Sequence, residues 1–272
     1  MGAEETTGAI EIGGRRLAWR ALGAGPPLLL INGYAATGAD WDPTFLAGLA
    51  ASHEVICPDN RGMGGSDPGD GELTVAGMAA DLEALLDARD LASAAVAGWS
   101  MGGFVAQQLA RRAPARVDAL ALLSTDPGGH EAVLADPAVW ARLTDRSGSA
   151  REQASRLIAL LFPPALAPAI DRDFGAIVAA GREALSPAAL DAQEQAMEAW
   201  HRTEQPPAPE GLPTLVVHGS ADEVIPAANA ELLTARWPGA EVEIVAGAAH
   251  AVMAQEADRV AGAITALLAE RD

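Results

Sequence analysis

The residue pattern predicts an α/β architecture: a mostly parallel sheet with helices on both faces and a helical lid inserted after the sixth strand. Three observations carry this expectation. Short, nearly continuous apolar runs recur along the chain, helix-period apolar stripes lie between them, and over residues 126–212 the alternation stops.

The elements follow in chain order. Residues 9–12 and 15–22 flank Gly13-Gly14 and read as a hairpin. The runs 27–32 (PLLLIN), 54–58, 94–98, 117–124 and 214–219 are those expected of parallel strands covered on both faces, whereas 241–246 alternates and suits an edge. Between them, Val75, Met78, Ala79, Leu82, Leu85 and Leu86 form one helical stripe, and Val260, Ile264, Leu267 and Leu268 another. The insertion reads as several helices separated by Pro163-Pro164, Pro168, Ser186-Pro187 and Pro206-Pro207. Ser186 as N-cap and Pro187 at the first helical position begin one of these, with Leu190, Met197 and Trp200 on one face. The expected division is a core of residues 1–125 and 213–272 around a lid of residues 126–212.

Charge and composition narrow the function classes. All 18 basic residues are arginine against 37 acidic ones, a formal charge of −19 that repels phosphate backbones and anionic lipid surfaces. Neither nucleic acid nor membrane is an expected partner. Cys57 is the only cysteine, so the chain forms no disulfide with itself, which fits a cytoplasmic location. The start, MGAEETTGAI, lacks a basic segment followed by an apolar stretch, so no secretory signal is expected; MGAEET does match the loose N-myristoylation pattern, but so short a pattern carries little weight. Residues 91–110 carry no formal charge, yet Gly98, Ser100, Gly102, Gly103, Gln107 and Gln108 fit a buried strand, turn and helix better than a membrane span.

The sharpest motif is Gly98-Trp99-Ser100-Met101-Gly102-Gly103, a G-x-S-x-G pattern directly after an apolar strand and opening a helix. A serine projected from so tight a turn leaves no space for side chains two positions either side, which is what Gly98 and Gly102 supply. Ser100 is the candidate nucleophile. Its hydroxyl needs a base, and His250 sits after the last strand, where an imidazole reaches over the carboxyl edge of a parallel sheet. His218 ends an apolar strand as a core residue would; His130 and His201 fall in the insertion and His53 precedes a strand. For the acid, Asp222 follows the penultimate strand in the order Ser, acid, His, and Asp126 after the sixth strand is its rival. The oxyanion requires two backbone N–H donors: Met101, and one from Asn32-Gly33-Tyr34-Ala35, with Tyr34 first and Ala35 second.

On these residues the chain resembles the α/β-hydrolase superfamily, near its esterase, lactonase and cofactor-free haloperoxidase group. Asp59-Asn60-Arg61-Gly62-Met63-Gly64-Gly65-Ser66-Asp67 is similar to that family's D-x-R-G-x-G-x-S loop, and 219–226 to its G-x-x-D-x-x-x-P acid loop. The resemblance implies an eight-stranded sheet and supports Ser100, Asp222 and His250 as a triad. Asn32-Gly33 departs from the family's usual His-Gly, so the oxyanion loop is expected to be braced differently.

The expected function is hydrolysis of a small-molecule ester or lactone through an acyl-enzyme, with no metal or organic cofactor. Perhydrolysis, C–C bond hydrolysis and acyl transfer share the same triad, and a non-catalytic ligand-binding protein is the alternative of another class. Trp99, Trp140, Phe162, Phe174 and Trp200 are the expected aromatic walls of the pocket. The residues do not fix an oligomeric state.

Overall fold

A computed structural model describes residues 5–269. The start of the myristoylation match, and part of the segment read as lacking a secretory signal, therefore lie outside the described residues.

Among the described residues, eight strands form one sheet in the order β1-β2-β4-β3-β5-β6-β7-β8. These are β1 (Glu5–Ile12), β2 (Arg15–Leu22), β3 (Pro27–Ile31), β4 (Glu54–Pro58), β5 (Ala94–Trp99), β6 (Val117–Leu123), β7 (Thr214–Gly219) and β8 (Glu241–Val245). β1 and β2 pair antiparallel around Gly13-Gly14, β2 runs antiparallel to β4, and all remaining pairs are parallel. β8 is the edge that its alternation predicts.

The continuous apolar runs have a physical reason. Leu29 and Ile31 of β3 face one buried cluster, with α2 (Val75–Ala88) and α3 (Met101–Arg112), while Leu28 and Leu30 face a second, with α1 (Pro43–Ala50) and the C-terminal helices. With helices on both faces, neither side of the strand offers a place for a polar residue. Each fully buried Leu or Ile contributes about 1.5–3 kcal/mol of transfer free energy. The α2 stripe is buried as its period predicts, and Thr74 caps that helix by accepting the N–H of Gly77.

Between β6 and β7 lie four helices: α4 (Pro137–Thr144), α5 (Ala150–Leu161), α6 (Ala167–Glu183) and α7 (Pro187–Arg202). Ser149 and Glu152 close a reciprocal capping box at the start of α5. Ser186 does precede α7, but its side chain makes no capping bond, and Pro187 sets the first turn. After β7 comes α8 (Asn229–Arg236), and after β8 the short α9 (Val252–Gln255) and α10 (Ala257–Ala269). Among the described residues, no helix is long and apolar enough to cross a membrane, and the uncharged stretch 91–110 resolves into β5 and α3.

This topology positions the site. The chain steps from β3 outward to β4, then returns to the other side of β3 with β5, pairing Ile31 with Gly98. A crevice opens beyond the carboxyl ends of such a strand pair. The loop after β3 carries Tyr34, and the turn after β5 carries Ser100.

Candidate active site

Ser100 sits between β5 and α3 with φ 55° and ψ −125°, a left-handed conformation that costs a non-glycine residue on the order of 1–3 kcal/mol. The surroundings enforce it. The Ser100 N–H donates to the Leu123 carbonyl at 3.0 Å, and the Ser100 carbonyl accepts from Thr125 Oγ1 and from the Gly103 N–H, each at 2.8 Å. A Cβ at Gly98 would run into the Gly102 carbonyl, and one at Gly102 into the Ile31 carbonyl. Both glycines are therefore required by backbone approach, and the serine hydroxyl projects from a turn that cannot relax.

Asp222 and His250 form a buried pair, Asp222 Oδ2 meeting His250 Nδ1 at 2.8 Å. Asp222 Oδ1 accepts the N–H groups of Val224 and Ile225, each at 2.9 Å, so the loop after β7 grips the carboxylate from behind. Burial alone raises the Asp222 pKa, but the adjacent His250 and the hydrogen bonds from His218 and His250 outweigh it and hold the group well below the usual carboxylate range. His218 Nε2 donates chiefly to the Ile225 carbonyl at 2.7 Å and stands 3.5 Å from Asp222 Oδ2, so it supports the acid loop from within the core. The His250 ring packs on Trp99, centroids 5.2 Å apart, and the Trp99 indole N–H donates to the His250 carbonyl at 2.9 Å. The histidine is thus tied to the residue preceding Ser100. With Nδ1 engaged, Nε2 is the ring nitrogen left for proton transfer.

The loop after β3 is braced by its own side chains and by α7. Asn32 Oδ1 accepts the Gly33 N–H at 2.9 Å, and Asn32 Nδ2 donates to the Thr37 carbonyl at 2.5 Å, so the asparagine that stands in for the family's histidine folds back into the loop. The Ala35 N–H donates to Gln193 Oε1 at 2.9 Å and the Tyr34 hydroxyl to Glu194 Oε1 at 2.6 Å, while Arg146 pairs with the same Glu194. Burial and the Glu194 carboxylate push the Tyr34 phenol well above its ordinary range. These α7 contacts have no signal in the local sequence. They also separate the two candidate donors: Ala35 is engaged, whereas among the described residues nothing takes the N–H of Tyr34 or of Met101.

A cavity of about 300 Å³ opens at Ser100. Phe104, Val133, Leu134, Trp140, Met197 and Ile225 are among the residues that make its wall apolar, with Tyr34, Asp126, Glu198 and His201 as polar points. Of the aromatic residues expected to face it, only Trp140 does. Trp99 points away, into the cluster with Trp41, because its indole is held beneath His250. Trp200 is buried behind the wall, stacked on Phe104 at 5.3 Å between centroids. Phe162 ends α5 outside the cavity, and Phe174 lies 52% exposed on α6. The difference has one cause: aromatic content marks apolar burial, and which side of a helix faces the cavity is set by packing between helices. Asp126, the rival acid, pairs with His201 rather than His250, Oδ2 to Nε2 at 3.0 Å. Among the described residues, no group of three or more His, Cys, Asp or Glu is placed to hold a metal ion.

Comparison with known proteins agrees with this frame. A protein of Synechocystis described as a "putative non-heme chloroperoxidase" is 29% identical over 88% of this chain and 90% of its own length. The structure of a hydrolase from Pseudomonas aeruginosa matches with a TM-score of 0.78 at 28% identity, covering 96% of this chain and 98% of that one. A thermophilic esterase from Thermogutta terrifontis matches with a TM-score of 0.73 at 25% identity, covering 98% and 99%. The family model for the alpha/beta hydrolase fold spans residues 26–257, from β3 to the start of α10. The chain belongs to the α/β-hydrolase fold family.

Proposed function

We propose that this hydrolase is a serine enzyme that cleaves a carboxylic ester or lactone of a small molecule. The observation that carries the reading is Ser100 on a strained elbow, with His250 packed on the preceding Trp99 and its Nδ1 held by the buried Asp222. His250 Nε2 takes the proton of Ser100 Oγ as the oxygen attacks the substrate carbonyl. The N–H groups of Tyr34 and Met101 receive the developing oxyanion, and Asp222 stabilises the imidazolium. Collapse of the tetrahedral intermediate expels the alcohol, which takes the proton from His250 and leaves an acyl-serine. Water, deprotonated by His250, then attacks the acyl carbon and frees the acid and Ser100 together.

The helices of residues 126–212 act in this reading as a lid domain on a core of residues 1–125 and 213–272, since Trp140, Leu143, Met197 and His201 come from them. The cavity wall is mostly apolar, which suits a ligand with an apolar body. The single buried Cys57 fits a cytoplasmic location. A second reading, perhydrolysis with hydrogen peroxide replacing water at the acyl-enzyme to give a peracid, is favoured by the likeness to the Synechocystis protein. Turnover of p-nitrophenyl esters of graded acyl length and of aliphatic lactones tests the proposal, with peroxide added in a parallel series. Ser100→Ala should abolish every activity; a Ser100→Ala protein that hydrolyses as fast as the wild type overturns the reading.

A further inference from the structure

The cavity holds a second carboxylate–histidine pair beside Ser100. Asp126 is 2% exposed, and its Oδ1 accepts from the Gly128 N–H at 2.8 Å and the Trp200 indole N–H at 3.3 Å, two groups that can only donate. Its Oδ2 meets His201 Nε2 at 3.0 Å. A carboxylate oxygen only accepts, so His201 Nε2 is the donor of this contact. Nδ1 is then left without a partner among the described residues, and in the neutral ring it is an acceptor. The ring is held edge-on against Phe104, centroids 5.5 Å apart at 77°, and both residues line the cavity with Ser100.

The other polar points have the same sign. Asp126 and Glu198 are acceptors, and the Tyr34 hydroxyl already gives its proton to Glu194. Apart from Ser100 and Trp140, whose indole N–H can only donate, the polar side chains that line the cavity offer hydrogen-bond acceptors in an apolar wall. A ligand carboxylate is repelled by Asp126 and the net charge of −19, while Glu198 is paired with Arg202.

We propose that His201, oriented by Asp126, is a specificity-determining residue that accepts a hydrogen bond from a substrate hydroxyl, so that the substrates are esters or lactones bearing a hydroxyl remote from the scissile carbonyl. This substrate class rests on the serine-hydrolase reading above. The role of Asp126 gives it a distinctive test. In Asp126→Asn the amide oxygen stays with Gly128 and Trp200, and the amide N–H₂ faces His201 Nε2. The ring must then carry its proton on Nδ1, which changes from acceptor to donor.

The experiment uses p-nitrophenyl esters of straight-chain acids of four to eight carbons, each with a terminal hydroxyl, methoxy or ammonium group or none, and measures kcat/KM for each. The matching methyl ketones are titrated by calorimetry into Ser100→Ala protein, with and without the His201 and Asp126 changes, which reads recognition without turnover. At the fitting chain length the hydroxyl ester is expected to lead both methoxy and unsubstituted esters by about tenfold, mainly in KM. His201→Phe brings the ratios to about one, His201→Gln keeps part of the preference, and Asp126→Asn accepts methoxy as readily as hydroxyl. Equal rates for all esters at every length, an unchanged hydroxyl preference in folded His201→Phe or His201→Ala, or a preference for ammonium overturns the inference. If no ester turns over, the ketone affinities decide the inference by the same ratios, and the missing turnover counts against the Ser100 reading alone.

Discussion

Replacing Asp222 by Asn removes a charge and reverses a proton, and both effects can be sized from the structure. The new amide would keep the N–H groups of Val224 and Ile225 on its oxygen, now held at 2.9 Å by Asp222 Oδ1, so its nitrogen faces His250 Nδ1. The imidazole must then carry its proton on Nε2, the position from which it should accept the Ser100 proton. Charge loss adds to this. At about 4 Å and an effective dielectric near 20, a carboxylate stabilises an imidazolium by about 4 kcal/mol, roughly a thousandfold in rate. The wrong tautomer carries the expected loss in kcat toward about 10⁴-fold, as in the best-studied serine triad. The assay is steady-state kcat on an activated ester, with circular dichroism to verify the fold and Asp126→Asn as the paired comparison. Asp126 holds His201, not His250, so the loss of kcat on unsubstituted esters in its variant should stay within about tenfold. An Asp222→Asn enzyme within tenfold of wild type beside a crippled Asp126→Asn enzyme would refute the assignment of the acid.

Further outcomes follow from particular residues. The depressed Asp222 pKa means that its contribution to stability is complete above the unfolded carboxylate value of about 3.9 and is lost as pH falls toward the folded value; the melting-temperature gap between wild type and Asp222→Asn should narrow below about pH 4. Burial pushes the Cys57 thiol up to about 12, so a disulfide reagent at pH 8 should modify it only after denaturation. Trp200→Ala should cost about 3–5 kcal/mol in urea unfolding through loss of its stack on Phe104, whereas Trp140→Ala should change the ranking of ester substrates and Phe174→Ala should change neither. Gly102→Ala drives a Cβ into the Ile31 carbonyl, and its unfolding midpoint should fall by an amount worth about 1–3 kcal/mol or more.

Much of the fold is legible in the residues because its causes are local. An apolar run such as Leu28 to Ile31 states that both faces of β3 are covered, and the α2 stripe states which side of that helix is inward. The elbow is legible for the same reason, since Gly98 and Gly102 answer a steric demand within a few positions of Ser100. The cavity wall is set elsewhere. Whether Trp140 or Phe174 faces Ser100 depends on how α4 and α6 pack, and no period within either helix encodes it. Gln193 and Glu194 brace a loop 158 and 160 positions away, and Asp126 finds His201 across 75. Those pairings arise only once the helices between β6 and β7 are seated.

The central claim is that Ser100 is an activated nucleophile, and covalent labelling tests it most directly. The folded protein should be treated with an alkyl fluorophosphonate, followed by intact mass and peptide mapping, with His250→Ala in parallel. One adduct on the Ser100 peptide, with labelling strongly slowed in His250→Ala, is the expected result. An adduct on another residue, or none on folded wild-type protein, would contradict it.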